Sequence, residues 1–238
     1  EKDTPPRPYE ALVTLRPENG MPLMVSPFKK TYYMQGLQQS SQLLDACLQL
    51  RRRVFVENMK WPLQVNEKGQ EIDQFDQIET GYFAYVEKGR LLATARVIPA
   101  EKPSLLYNVF SHLINDPIAR LPRVGTWEGA RLAVTPELSA HQSRAVCATL
   151  LAAAIRTAIE RGISHIYTVS DPVMERVLVR AGAAPERLGP VVIDQYGIPA
   201  LALKINCSPE ILENCLIRSK RSGAQKHTGV TLEDNLAA

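Results

Sequence analysis

Six ionisable residues stand inside or beside hydrophobic segments: Arg51, Asp73, Asp76, Arg96, Glu128 and Arg131. A buried charge without a partner is costly, or shifts its pKa until it is neutral. Arginine keeps its proton in proteins, so acids must meet Arg51, Arg96 and Arg131. Six such charges over about 80 residues suggest one electrostatic cluster, and that cluster is where chemistry is expected. In TWEGARLAV (126–134), strict alternation would put Glu128 and Arg131 on opposite faces of a strand. Gly129 between them is a plausible bulge that would turn both toward one face, with an internal salt bridge as the alternative. In EIDQFD (71–76), Asp73 and Asp76 flank Phe75 in a loop. The pair is either solvated or suited to a cation. His112, His141, His165 and His227 supply no metal-ligand spacing, so no metal is expected.

The remaining motifs are exclusions. There is no P-loop, no GxGxxG and no Ser-His-Asp order, which leaves hydrolase and nucleotide-phosphate chemistry without support. The 238 residues carry a net charge of +3 and only 6% aromatics, with no interleaving of basic and aromatic residues, so nucleic acid is not an expected partner. Cys47, Cys147, Cys207 and Cys215 form no CxxC pair and read as small buried thiols of a reducing compartment. No run approaches the roughly 18 apolar residues of a membrane span and no signal-peptide pattern opens the chain, so a cytoplasmic location is expected.

Elements must position these residues. Residues 1–27, with five prolines, read as an extended arm; 28–217 as the compact domain; 218–238 as a polar, basic tail. Ser40 or Ser41 can cap a helix whose stripe is Leu44, Cys47, Leu48, Arg51 and Phe55. Strands are expected at 30–35, 82–86, 91–98, 126–134, 165–170, 191–194 and 200–205. Helices are expected at 143–161, stopped by Gly162, and 172–181, stopped by Gly182. Closely spaced strands mixed with helices predict an α/β domain, a three-layer αβα arrangement around a mixed sheet. Trp61 and Phe110 read as core or rim aromatics that could also pack on a cation.

Together, RRRVFVENMKW, EIDQFD, ATARVIP, YNVF, WEGARLAV and YTVSDPVMERVLVRAG resemble the acyl-homoserine-lactone synthases, the autoinducer synthases of bacterial quorum sensing, over about residues 30–205. The resemblance implies an N-acetyltransferase-like fold in which strands 126–134 and 165–170 splay into a V that holds an acyl-phosphopantetheine arm. It implies S-adenosylmethionine and an acyl thioester as substrates, the latter on acyl carrier protein or coenzyme A, with no further cofactor. By resemblance Glu128 is the general base, with Arg96 and Arg131 beside it. Arg51, Phe55, Trp61, Asp73, Asp76 and Phe110 bind substrate. Ala130 and Thr168 lie in the acyl pocket. Ala130 stands where members making 3-oxoacyl products tend to carry serine, which removes a hydrogen-bond partner for a 3-oxo group. Where a glycine-rich pyrophosphate loop would precede the long helix, the chain has Ala140-His141-Gln142-Ser143. Basic residues on the helices, Arg144, Arg156 and Arg161 with Arg176 and Arg180, are candidates for docking a carrier protein; a solvated helix face is the alternative. An N-acyltransferase that makes no lactone and an inactive carrier-binding sensor are the competing functions.

Overall fold

A short polar-capped helix, a long alanine-rich one and eight hydrogen-bonded strands among the described residues set the architecture. The structure is a computed structural model that describes residues 31–37, 41–115, 121–193 and 197–221. The arm at 1–27 and most of the tail lie outside the described residues. The elements run β1 (Thr31–Gln35), α1 (Gln42–Arg51), β2 (Gly81–Glu87), β3 (Arg90–Pro99), α2 (Leu105–Asn108) and β4 (Thr126–Val134). They continue as α3 (Ala140–Glu160), β5 (His165–Ser170), α4 (Pro172–Ala181), β6 (Glu186–Arg187), β7 (Val192–Ile193), β8 (Pro199–Asn206) and α5 (Pro209–Arg221). The sheet order is β1-β2-β3-β4-β5-β8-β6, with β7 also on β8. Among the described residues only β4 and β5 run parallel, and every other strand pairing is antiparallel. The sheet is therefore mixed and covered on both faces, as the pattern predicts.

Local chemistry explains the boundaries. Ser41 caps α1, its hydroxyl accepting the Leu44 N–H at 3.1 Å. After Arg51 the helix widens into a π-helical segment, Arg52–Asn58, closed by the Met59 N–H donating to the Val54 carbonyl five residues back. Asp171 caps α4 with Pro172 in its first turn, and Gly182 ends it in the left-handed region at φ 95°. A Cβ at Gly182 would meet the Asn214 and Cys215 backbone at 2.8–2.9 Å, so glycine also allows α4 to lie against α5. The main core joins Phe83, Val97, Trp127, Ile166, Leu201 and Leu203 of the sheet to Leu150, Ile155 and the alanines of α3. A second core packs Leu43, Leu44, Cys47 and Leu48 of α1 on Tyr82, Ala84 and Ala133 of the opposite face.

The cleft arises between β4 and β5. They pair at only three positions, Thr126–His165, Trp127–Ile166 and Glu128–Tyr167. Beyond these both strands pass from buried to half-buried, β4 from Gly129 and β5 from Thr168. The strands splay as expected.

Three expectations need correction. The long helix begins at Ala140 rather than 143, because Ser139 and Gln142 form a reciprocal capping box. Residues 140–143 are thus the first helical turn, and the connecting loop is Thr135–Ser139. The strand placed at 191–194 is a two-residue pairing, Val192–Ile193. Helix α5, absent from the sequence reading, runs through the proposed boundary at 217 to Arg221; its buried stripe is short, Ile211 and Cys215.

Candidate active site

Helix α1 brings Arg51 to the sheet, β3 brings Arg96, and β4 brings Arg131. The 71–76 loop supplies three acids to meet them. Arg51 donates from Nε to Glu71 at 2.6 Å and, with both terminal nitrogens, to Asp76 at 2.8 and 2.9 Å. Arg96 grips Asp73 with two bonds, 2.6 and 3.0 Å, and lies 3.0 Å from Asp76. Arg131 donates to Glu71 at 3.1–3.2 Å and to Asp73 at 2.9 Å. The contacts close on themselves: Arg51, Glu71, Arg131, Asp73, Arg96, Asp76 and back to Arg51. Three positive and three negative groups alternate around this ring.

Glu71 thus completes the ring, and Glu128 stands outside it. From sequence Glu128 is the expected third acid and Glu71, which opens the EIDQFD motif, carries no assignment. Its alternation with Asp73 was the available signal, since both point the same way along an extended segment. The acids are also not solvated. Glu71 and Asp76 are buried, and Asp73 keeps 15% of its side chain exposed. The loop holds them through the Asp73 N–H on Asp76, the Phe75 N–H on Asp73 and the Glu71 N–H on the Leu48 carbonyl. Burial alone would raise the Asp76 pKa; hydrogen bonds and charge from Arg51, with Arg96 beyond, hold it well below the carboxylate range. Tyr82 also donates to Asp76, at 2.9 Å, and burial against that carboxylate keeps its phenol protonated.

The expected bend lies at Arg131 rather than Gly129. Thr94 pairs with Ala133 and Arg96 with Ala130, so Arg131 and Leu132 together oppose Ala95. Arg131 adopts φ 54°, a conformation that costs a non-glycine residue about 1–2 kcal/mol. Its bonds to Glu71 and Asp73 offset that strain. Gly129 keeps an ordinary conformation, and its lack of a side chain serves close approach, since a Cβ there would lie 3.0 Å from Ile166. Phe55 is buried, stacks on Trp61 at 5.1 Å, and has the Arg131 guanidinium 5.7 Å from its ring centre.

Glu128 is fully buried on the last paired rung before the strands part. One carboxylate oxygen accepts the Leu105 N–H at 3.0 Å and the other the Leu106 N–H at 2.8 Å. Burial raises its pKa above the usual glutamate range, opposed by Ser104, by these two amides and by the charge of Arg96. Glu128 and Arg96 share a sheet face, since Ile98 pairs with Glu128 and Arg96 with Ala130. Ala130 and Thr168 sit just past the split, one on each strand. The Thr168 hydroxyl lies 3.3 Å from the Val169 carbonyl and 3.4 Å from the Ser170 hydroxyl. Phe110 packs with Leu106, Leu113 and Tyr167, beside Glu128 rather than beside the ring.

The arginines proposed for docking do not gather. Arg144 is exposed in the first turns of α3, at the open end of the cleft, where β4 hands over to the helix. Arg161, 17 residues on and thus about 25 Å along the axis, is at the closed end and lies over Tyr33 at 4.4 Å. Arg156 is half-buried one turn before it. Arg176 and Arg180 are exposed on α4 with Val173 and Val179. All four cysteines are free, and burial pushes each thiol up to about 12, so they are inert at neutral pH.

A mixed sheet parted between two parallel strands and covered by helices on both faces defines the N-acetyltransferase-like fold class. The comparisons narrow the class. Residues 35–214 match the family described as autoinducer synthase. An acyl-homoserine-lactone synthase of Acinetobacter nosocomialis is 32% identical over 164 residues, 65% of this chain and 88% of the relative. One of Agrobacterium fabrum is 31% identical over 172 residues, 70% and 77% of the two chains. TofI, solved in a ternary complex with an inhibitor and MTA, superposes with a TM-score of 0.65 at 30% identity, covering 78% of this chain and 96% of that one. The synthase LasI gives 0.63 at 25% identity, covering 76% and 92%. An acyl-CoA N-acyltransferase from Pseudomonas aeruginosa, 18% identical with a TM-score of 0.50 over 74% of this chain and 97% of its own, shares the fold. The chain belongs to the autoinducer synthase family, the acyl-homoserine-lactone synthases.

Proposed function

We propose that this chain joins an acyl group to S-adenosylmethionine in the β4–β5 cleft and that Glu128 is the base of that reaction. The observation that carries the reading is Glu128 itself, a buried carboxylate at the split with raised proton affinity. An α-amine near pKa 8 must lose a proton before it attacks. Glu128 has no exposed surface, so an intervening water relays that proton. The amine nitrogen bonds to the thioester carbonyl carbon and gives its second proton through the water to bulk solvent, the carbon–sulfur bond breaks, and the thiolate leaves with the proton returned from Glu128. The methionyl carboxylate then attacks its own γ-carbon, forms the lactone and expels neutral methylthioadenosine, with no net redox change.

The ring acts as a rigid frame. Its six charges satisfy one another, so they do not all turn to a ligand. Only Asp73 and Arg131 reach the surface, with 15% and 8% of their side chains exposed. These two, with Phe55 and Trp61, form the wall that meets the cationic substrate, while Arg51, Arg96 and Asp76 hold that wall in place. The acid set has no charge left over for a metal.

Acyl carrier protein is the donor this site fits better. In Thr135–Ser139 there is no glycine, and the Gln142 and Ser139 N–H groups are bonded within the capping box, so they are not turned toward a pyrophosphate. Exposed Arg144, Arg176 and Arg180 suit an acidic partner. Cytoplasmic work follows from such substrates, and among the described residues no helix is long and apolar enough to cross a membrane. The test is incubation with S-adenosylmethionine and a panel of acyl carriers. Methylthioadenosine release with a lactone found by mass spectrometry is expected; amide product without methylthioadenosine would instead make this an ordinary N-acyltransferase.

A further inference from the structure

The two peptide N–H groups on Glu128 come from far along the chain, in the excursion between β3 and β4. Leu105 and Leu106 stand 23 and 22 residues before Glu128, yet each bonds a different carboxylate oxygen, at 3.0 and 2.8 Å. The excursion is built to hold that posture. The Asn108 side chain accepts the Ser104 N–H at 2.8 Å and closes the turn. Arg123 reaches back to the Ala100 carbonyl at 2.6 Å and lies over the Tyr107 ring at 4.5 Å. Ser104, Leu106 and Glu128 are all fully buried.

We propose that the Leu105–Leu106 amide pair is a positioning device for the reaction, fixing the orientation of the Glu128 carboxylate and setting its proton affinity. The inference rests on Glu128 being the base. Carboxylate oxygens held this way keep one lone-pair direction fixed toward the split, which a freely rotating glutamate could not do. The groups facing Glu128 from the packed elements are Arg96 on β3, Tyr107 on α2 and Tyr167 on β5. Arg96 is committed to Asp73 and Asp76, and the tyrosines are protonated at neutral pH because burial raises both phenols. Ser104, the residue before the pair, offsets burial through its side chain, and the two amides follow with a bond to each carboxylate oxygen. Loss of either N–H bond removes part of what opposes burial and raises the proton affinity of Glu128 further.

Leu105→Pro removes one of these N–H groups and little else. Leu105 is the first residue of α2, where proline fits, and Ser104 before it is already extended at φ −151°, ψ 168°. Leu105→Ala, which keeps the N–H, is the control for side-chain loss. The readout is the pH dependence of kcat/KM for methylthioadenosine release, compared between variants so that ionisation of the substrate cancels. In Leu105→Pro the acidic limb should move up by roughly 1–2 pH units, with the loss below that limb recovered at higher pH. Leu105→Ala should keep the wild-type limb. A uniform loss at every pH, or an unmoved limb, overturns the proposal and returns the amides to a purely structural role. Glu128→Gln keeps the two failures apart. If it still turns over, the base assignment itself falls; if it is dead while the Leu105→Pro limb stays put, only the amide proposal does.

Discussion

Removing the charge of Glu128 while keeping its shape is the sharpest change available at a single residue. Glu128→Gln should abolish methylthioadenosine release yet move Tm by no more than a few degrees, since an amide oxygen can still accept one of the two N–H groups. The ring should behave in the opposite way. Arg51→Ala leaves Glu71 and Asp76 buried without their main partner and should cost about 3–5 kcal/mol in denaturant unfolding. Arg131→Ala removes a member from the open edge, where Glu71 keeps Arg51 and Asp73 keeps Arg96. It should lose activity at a smaller cost in stability. The pH dependence follows from the signs. Asp76 has a depressed pKa in the fold, so its contribution is present above the unfolded value near 3.9 and is lost only as pH falls through the lower folded value. Glu128 is raised, so its contribution is full below about 4.3 and is lost as pH rises through its folded pKa. Stability measured against pH should therefore decline gently as Glu128 ionises and fall steeply only in strong acid. Six charged residues in apolar surroundings could be picked out from sequence because burying a charge is costly wherever it happens. Their pairing could not, because Glu71 and Glu128 look alike until the loop and the strand are placed.

At the scale of elements, the split between β4 and β5 depends on a short close approach followed by a break in register. Gly129→Ala would press a methyl against Ile166 just after the last paired rung. A loss of roughly 1–3 kcal/mol is expected by analogy with overpacked cores, together with a drop in kcat, because the carboxylate on that rung moves with it. Thermal unfolding beside steady-state kinetics checks both. Alternation within TWEGARLAV did reveal that Glu128 and Arg131 needed an irregularity to share a face. It pointed to the glycine, since glycine is the usual site of a bulge. The bulge falls instead on Arg131, where ion pairs to a loop 60 residues earlier in sequence stabilise a left-handed conformation. Helix starts were legible at α1, where Ser40 or Ser41 offered a cap, and at α4, which opens on Pro172. The start of α3 at Ala140 was missed because its box of Ser139 with Gln142 was not read, and α5 because its apolar stripe is too short to stand out.

For the whole molecule, charge at the mouth of the cleft separates donor recognition from chemistry. Arg144→Glu and Arg176→Glu should raise KM for an acyl-carrier-protein donor severalfold, more at low salt than at high, and leave turnover of a small acyl thioester unchanged. Equal effects on both donors would dismiss the docking face. The sequence by itself determined most of the elements, the mixed three-layer architecture, the family, and five of the six charges that close the ring. Those follow from periodicity, capping and the cost of burial, which act over a few residues. Tertiary structure alone decided that three arginines and three acids close into one ring, and that Glu128 is left out of it and held by two distant amides. Each of these depends on which segments meet across tens of residues, and only the register of the sheet and the path of the loops can fix that.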